Sequence, residues 1–229
     1  MEAGAIYDVL LRLLGGLPLT LQLVTLSLLF GLLLAIGVAF LRLSHHPLLS
    51  GLAWSYVFVF RGTPLLVQIF LIYYGLGQFE LVRDSFLWPF LREAYWCAVL
   101  ALGLNTAAYT GEIIRGGIQS VPFGQVEAAK ALGMPRMTIY RRIIAPVAMR
   151  QALPAYGNEI ILMVKASSLA STITLLEVTG VARRIISQTF QVFEVFIIAG
   201  AIYLLVNFLI TRIVKSVEWR LTPHLRRAG

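Results

Sequence analysis

LLGGLPLTLQLVTLSLLFGLLLAIGVAFL, residues Leu13 to Leu41, contains no charged side chain over 29 positions. About 20 apolar residues suffice for a helix to cross the hydrocarbon core of a bilayer. The run is also far longer than the strands of a membrane barrel, at about 10 residues. It therefore sets the fold class as an all-α polytopic membrane protein. The remaining composition agrees: of 229 residues 59% are hydrophobic and 13% charged, with a mean hydropathy of +0.82. A soluble domain carries about 25% charged residues, so this chain lacks the polar surface to face water. Its net charge of +8 does not indicate nucleic acid, because the basic residues border apolar runs, as membrane topology requires. Cys97 stands alone in an apolar run and is a packing residue. No cleavable signal is expected, since the first apolar run exceeds a signal core of about 7–15 residues.

Upstream of the opening run, Ile6, Val9, Leu10, Leu13 and Leu14 recur at helical spacing among Glu2, Asp8 and Arg12. That pattern predicts an interfacial helix over residues 1–17. Downstream, apolar runs and polar breaks predict five spans, at 18–41, 52–76, 95–115, 152–173 and 194–214. A turn at Arg42 to Pro47, a charge-balanced loop at 78–93, a basic loop, a semi-polar connection at 174–193 and a basic tail complete the chain. With the amino terminus outside, cytoplasmic segments hold twelve Lys and Arg residues and outer segments five, with Arg61 and Lys165 inside spans. The positive-inside bias thus places the amino terminus outside and the basic tail in the cytoplasm. An odd number of spans also disfavours an inverted repeat within one chain, leaving a partner to complete any pathway.

No Gly-x-x-x-x-Gly-Lys-Ser/Thr phosphate loop occurs in the sequence, so ATP hydrolysis by this chain is not expected. His45, His46 and His224 lack metal-ligand spacing, and no nucleophile–base set can be assembled. Neither catalytic residues nor a cofactor is expected. Three segments instead carry polar groups into spans. In Arg61-Gly62-Thr63-Pro64, the proline frees a backbone carbonyl near Phe60 and bends the helix, and Thr63 or Arg61 can help satisfy it. Arg61 otherwise reaches the cytoplasmic interface. On the third span Asn105, Tyr109 and Glu112 lie on one helical face, with Thr106 beside them and Ala107, Ala108 and Gly111 offering close helix approach. Glu112 either faces a cavity or pairs with Arg115. On the fourth span Glu159 and Lys165 are six apart and do not share a face. A carboxylate in hydrocarbon costs about 2.5–3.5 kcal/mol on insertion scales, so Glu159 needs a partner or a cavity with a cationic ligand. Ser167 and Ser168 either face that cavity or bond to the preceding turn.

The basic loop centres on EAAKALGMPRMTIYRRIIAP, Glu127 to Pro146. Pro122 suits a first helical turn, Glu127 to Leu132 favour helix, and Gly133 suits a left-handed helix end. Pro135 can open a second helix and Pro146 limits it. A basic helical hairpin at the water surface follows.

Its spacing resembles the EAA loop of bacterial ABC importer permeases: Glu127-Ala128-Ala129, Gly133, Ile143 and Pro146 all fall in register, with Ala145 in place of the usual Leu. RGTPLLVQ, LNTAAYTGEIIRGGIQSVPFGQVEAAKALG and LPAYGNEIILM extend the resemblance to nearly the whole chain, within the polar amino acid branch. The chain resembles the M-type subunits of histidine/lysine/arginine/ornithine and octopine/nopaline permeases. It departs at VKASSLAST, where many branch members read LKDTSL. The resemblance implies a single ABC transporter transmembrane domain over 1–229, with a coupling loop at 122–150 made by Glu127, Ala128, Ala129, Gly133, Ile143 and Pro146. It implies an inner-membrane importer with an ATPase subunit dimer, a second, Q-type permease subunit or a second copy, and a periplasmic solute-binding protein. Asn105, Thr106, Tyr109, Glu112, Glu159, Ser167 and Ser168 are the candidate substrate residues, for a basic amino acid, a related opine or another polar amino acid. A channel or membrane enzyme is the alternative in a different class, but the sequence offers neither a filter nor a reactive set.

Overall fold

The computed structural model describes residues 3–221, and no strand occurs among them. Glu2, His224 and the basic pair Arg226 and Arg227 lie outside the described residues.

Helix α1 (Ala3–Leu14) joins α2 (Leu17–Arg42) through Gly15 and Gly16, and the two form one apolar element, Gly4–Arg42. The helix that the spacing predicts over the amino-terminal segment forms, ends at Leu14, and is held against the body of the protein. Two long-range contacts decide this. Val9 and Leu13 bury against Val178, Ile185 and Val195. Gly16 lies so close to the backbone of Glu177 that a Cβ there would sit 2.8 Å from a carbonyl carbon.

Helix α3 (Pro47–Gly62) ends because Thr63 precedes Pro64 and takes the extended backbone that a following proline imposes (φ −114, ψ 147). Helix α4 (Leu65–Phe70) restarts beyond it and continues through a π turn and a 3₁₀ turn to Gln78, at 106° to α3. The second span is thus sharply broken where the sequence predicts a bend. Short helices α5 (Glu80–Arg83) and α6 (Trp88–Leu91) occupy the charge-balanced loop.

Helix α7 (Ala94–Gln119) is the centre of the molecule: α2, α3, α4 and α10 all pack on it, α2 most extensively. Its face toward α2 is made of small residues. Ala107 and Ala108 are fully buried, and Gly31 of α2 lies against Thr106, where an added Cβ would also sit 3.0 Å from the carbonyl oxygen of Gly103. Close backbone approach of this kind supplies the dispersion contact that holds helices together in lipid. Cys97 is buried in the same core and donates to the carbonyl of Leu91.

After α7 come α8 (Phe123–Ala131) and α9 (Arg136–Ile139), with Pro122 just ahead of α8 rather than inside its first turn. A π turn, Tyr140–Ile144, runs straight into α10 (Ala145–Ala166), which tightens into 3₁₀ geometry over Ser167–Ile173. Pro146 therefore does not end the second hairpin helix. The widened turn just before it removes the clash between the proline ring and the carbonyl four residues back. Helices α11 (Val178–Thr189) and α12 (Val192–Leu221) finish the described chain. Among the described residues three helices are long and apolar enough to cross a membrane, or up to five spans if each bent pair counts as one. Large apolar side chains are left exposed on α2 and α12, among them Leu33, Leu204 and Phe208.

Candidate functional site

The fourth-span carboxylate meets the third-span polar face inside the bundle. Glu159 of α10 is 6% exposed, and its Oε1 accepts a 2.7 Å hydrogen bond from Oγ1 of Thr106 on α7. Glu159 borders a cavity of about 260 Å³ with Asn105, Tyr109, Leu162, Met163 and Ala166. Asn105 and Tyr109 are one helical turn apart, which is why both reach it. Ala166 is the position of the departure from LKDTSL, so the wall here is apolar and Glu159 is the carboxylate of this cavity.

The other candidate residues divide. Glu112 lies one further turn along, bonded to Arg42 Nε at 2.9 Å and to both Nε and Nη2 of Arg115 at 2.9 and 2.6 Å. This ion-pair reading was open in the sequence; Arg42 is the added partner, and the triad ties the end of α2 to α7. Ser167 and Ser168 donate to the carbonyls of Val164 and Lys165, the preceding-turn arrangement. Lys165 borders a different cavity, with Thr179 and Tyr203, so it does not face Glu159. Asn105 donates to the carbonyl of Phe60 at 3.2 Å and to Oε1 of Gln68 at 3.0 Å.

Gln68 is a residue that the sequence reading passed over. Its amide donates to Phe60 O, Thr63 O and Thr63 Oγ1 at 2.9, 3.2 and 2.9 Å, while Thr63 Oγ1 bonds back to Val59 O. Gln68 and Asn105, rather than Thr63 or Arg61, thus satisfy the carbonyl that Pro64 sets free. The signal was the Pro64 break itself, which demands a donor nearby in a membrane interior. Gln68→Leu leaves Phe60 O with Asn105 as its one donor and takes the Oε1 acceptor from the Asn105 amide, at about 1–3 kcal/mol for a buried polar group left unsatisfied. The expected outcome is a lower melting temperature of the purified protein in detergent; an unchanged melt would show that the amide does not hold the break. Arg61 is exposed at the end of α3 and stacks on Tyr109 with its guanidinium carbon 5.0 Å from the ring centroid. Glu177 was also missed. It is fully buried, caps α11 through the N–H groups of Thr179 and Gly180 at 2.9 and 2.8 Å, and accepts from Tyr203 at 2.6 Å.

At the other end of the molecule, α8 ends on Gly133 at φ +72. Met134 N–H bonds to Ala129 O at 3.1 Å and Gly133 N–H to Lys130 O at 2.9 Å, the paired bonds of a Schellman ending. Glu127, Ala128 and Gly133 are exposed, Ala129 is buried, and Ile143 and Pro146 are half-buried where the hairpin enters α10. Phe123, Leu132 and Met137 are exposed by 71, 81 and 75%. These apolar side chains are exposed on the same hairpin as Lys130 and Arg136, which are exposed as well. Among the described residues no cluster of His, Cys, Asp or Glu could hold a metal ion.

Residues 27–223 match the family described as binding-protein-dependent transport system inner membrane component. The octopine transport system permease protein of Rhizobium radiobacter is 57% identical over 98% of this chain and 92% of its own length. The histidine/lysine/arginine/ornithine transport system permease protein of Escherichia coli K12 is 42% identical over 92% of this chain and 89% of its own. The solved structure of an amino acid ABC transporter with histidines superposes with a TM-score of 0.85 at 37% identity, covering 96% of this chain and 99% of that one. The chain belongs to the binding-protein-dependent inner-membrane permease family of ABC importers. It is a multi-pass membrane protein and a transport component rather than an enzyme.

Proposed function

We propose that this permease imports basic amino acids or related guanidinium-bearing opines, and that Glu159 receives the cationic group of the substrate. The observation that carries this is a buried carboxylate bordering a cavity with only one protein hydrogen bond among the described residues, from Thr106. A carboxylate–guanidinium pair is short, bidentate and strong in a water-poor site, and a cationic ligand offsets the cost of burying Glu159. The names of two relatives point the same way, one an octopine and one a histidine/lysine/arginine/ornithine permease protein.

In this reading the chain pairs with a related Q-type permease subunit, and the two dock on an ATPase dimer. Residues 122–150 form the coupling element, with Gly133 redirecting the chain from α8 into the helix that becomes α10. ATP-driven closure of the ATPases moves this element. Since α10 also carries Glu159, motion at the hairpin reaches the cavity along one continuous helix. The pathway opens outward to take substrate from a periplasmic binding protein, and hydrolysis resets it inward.

Uptake of radiolabelled arginine by cells expressing the full system tests the substrate reading. Competition by lysine, histidine or octopine but not by glutamate or leucine is expected; competition by acidic or purely apolar amino acids would overturn it. The amino terminus lies on the periplasmic side of the inner membrane and the basic tail in the cytoplasm, a reading supported by the charge distribution. Ser85→Cys is accordingly expected to react with a membrane-impermeant thiol reagent in intact cells, and Ser44→Cys only after permeabilisation. The reverse pattern would refute this topology.

A further inference from the structure

Two cavities adjoin across Tyr109. One, of about 260 Å³, holds Glu159; the other, of about 420 Å³, is lined by Arg42, Arg61, Tyr109 and Glu112. The charges in the second cavity are not equivalent. Arg42 and Glu112 are paired with each other, and Glu112 again with Arg115. Arg61 is exposed, has no hydrogen bond or ion pair among the described residues, and stacks on the Tyr109 ring. Arg61 and Glu159 carry opposite charges on the two cavities that share Tyr109, and they form no direct ion pair with each other. Arg61 is also set at the end of α3 by the break that Gln68 and Asn105 hold in place. The result is a pair of opposite charges, one on each of two cavities that share the Tyr109 ring. Such a pair complements a zwitterion, and a guanidinium is the side chain best suited to a carboxylate, with parallel N–H donors.

We propose that Arg61 is the anchor for the substrate's α-carboxylate, with Tyr109 as the surface against which the substrate backbone lies and Glu159 receiving the far end. The polarity is thus fixed: carboxylate toward α3, side chain toward α10. This rests on the reading of Glu159 given above, but it makes a separate claim, because Arg61 selects for the carboxylate whatever the side chain is.

The test is equilibrium binding to the assembled permease–ATPase complex in nanodiscs, without the binding protein, using two ligand pairs that differ only in the α-carboxylate. The pairs are arginine with agmatine, and glutamine with 4-aminobutanamide. The wild-type complex is expected to prefer arginine over agmatine roughly 10- to 100-fold, the range of a hydrogen-bonded charged contact. Arg61→Met is expected to bring arginine down to the agmatine level while agmatine binding stays within about threefold, and Arg61→Lys to keep part of the preference. Retained agmatine binding also shows that the variant is assembled. The inference is overturned if the wild-type complex shows no carboxylate preference, if Arg61→Met keeps the wild-type ratio, or if it weakens both members of a pair equally. If the wild-type complex binds glutamine and not arginine, the basic-substrate reading fails, and the glutamine pair still reads Arg61 by the same criteria.

Discussion

Glu159→Gln is expected to lower uptake of arginine, lysine and histidine by roughly 10- to 100-fold, as for loss of a charged hydrogen-bond partner. The amide is nearly isosteric with the carboxylate, and its carbonyl oxygen can still accept from Thr106 at the position Oε1 holds now. Packing against Met163 and Leu162 is therefore retained, and assembly and basal ATP hydrolysis are expected to be unchanged. What is removed is the negative charge beside the cavity, and with it the compensation for taking an ammonium or guanidinium out of water. Removing a buried charge relieves the protein while it penalises the ligand, so the variant is expected to be at least as thermally stable as wild type. Unaltered uptake of every cationic substrate in a well-assembled Glu159→Gln complex would remove Glu159 from the pathway.

The second large effect is expected at Gly133. Its φ of +72 is a backbone region that costs an L-residue about 1–2 kcal/mol, more for a β-branched side chain. No heavy atom lies within 4 Å of where its Cβ would be, so the penalty is conformational and not steric crowding. Gly133→Val is expected to shift the chain out of this turn and tilt α9 relative to α8. Since Leu132 and Met137 flank the turn and are largely exposed, their joint surface would be displaced. The outcome expected is a chain inserted in the membrane at normal level with ATPase binding or transport reduced tenfold or more. Gly133→Asn, which tolerates the left-handed region better, is expected to retain much of the function. Full transport by the valine variant would contradict a docking role for this turn.

Features set by local chemistry were legible in the sequence. The uncharged run from Leu13 gives the membrane class, the glycine at 133 its turn, and the spacing of Asn105, Tyr109 and Glu112 their common helical face. The separation of Glu159 from Lys165 also follows from helical geometry alone, and the two residues line different cavities. Features decided by distant partners were not legible. Nothing local tells that Val9 and Leu13 pack on α11 and α12. Periodicity shows an amphipathic face but cannot say whether protein or headgroups cover it. Pro64 predicts a freed carbonyl but not that Gln68 and Asn105 fill it, because one donor reaches across a 106° bend and the other comes from α7. Pro146 is a helix breaker by propensity, and a π turn absorbs it. Glu177, in a stretch that reads as a semi-polar connection, is a buried cap because Tyr203 lies 26 residues on in sequence and beside it in space.

In the proposed mechanism one helix links an ATPase-docking hairpin to a cavity for a cationic amino acid. The most direct test of this link is ATP hydrolysis by the reconstituted complex of this permease, its permease partner, the ATPase and the binding protein, titrated with a panel of amino acids. Stimulation by arginine, lysine, histidine or octopine is predicted, with Glu159→Gln losing that stimulation at unchanged basal rate and Gly133→Val losing it for every ligand. Stimulation by acidic or apolar amino acids alone, or equal stimulation of wild type and both variants by arginine, would contradict the account.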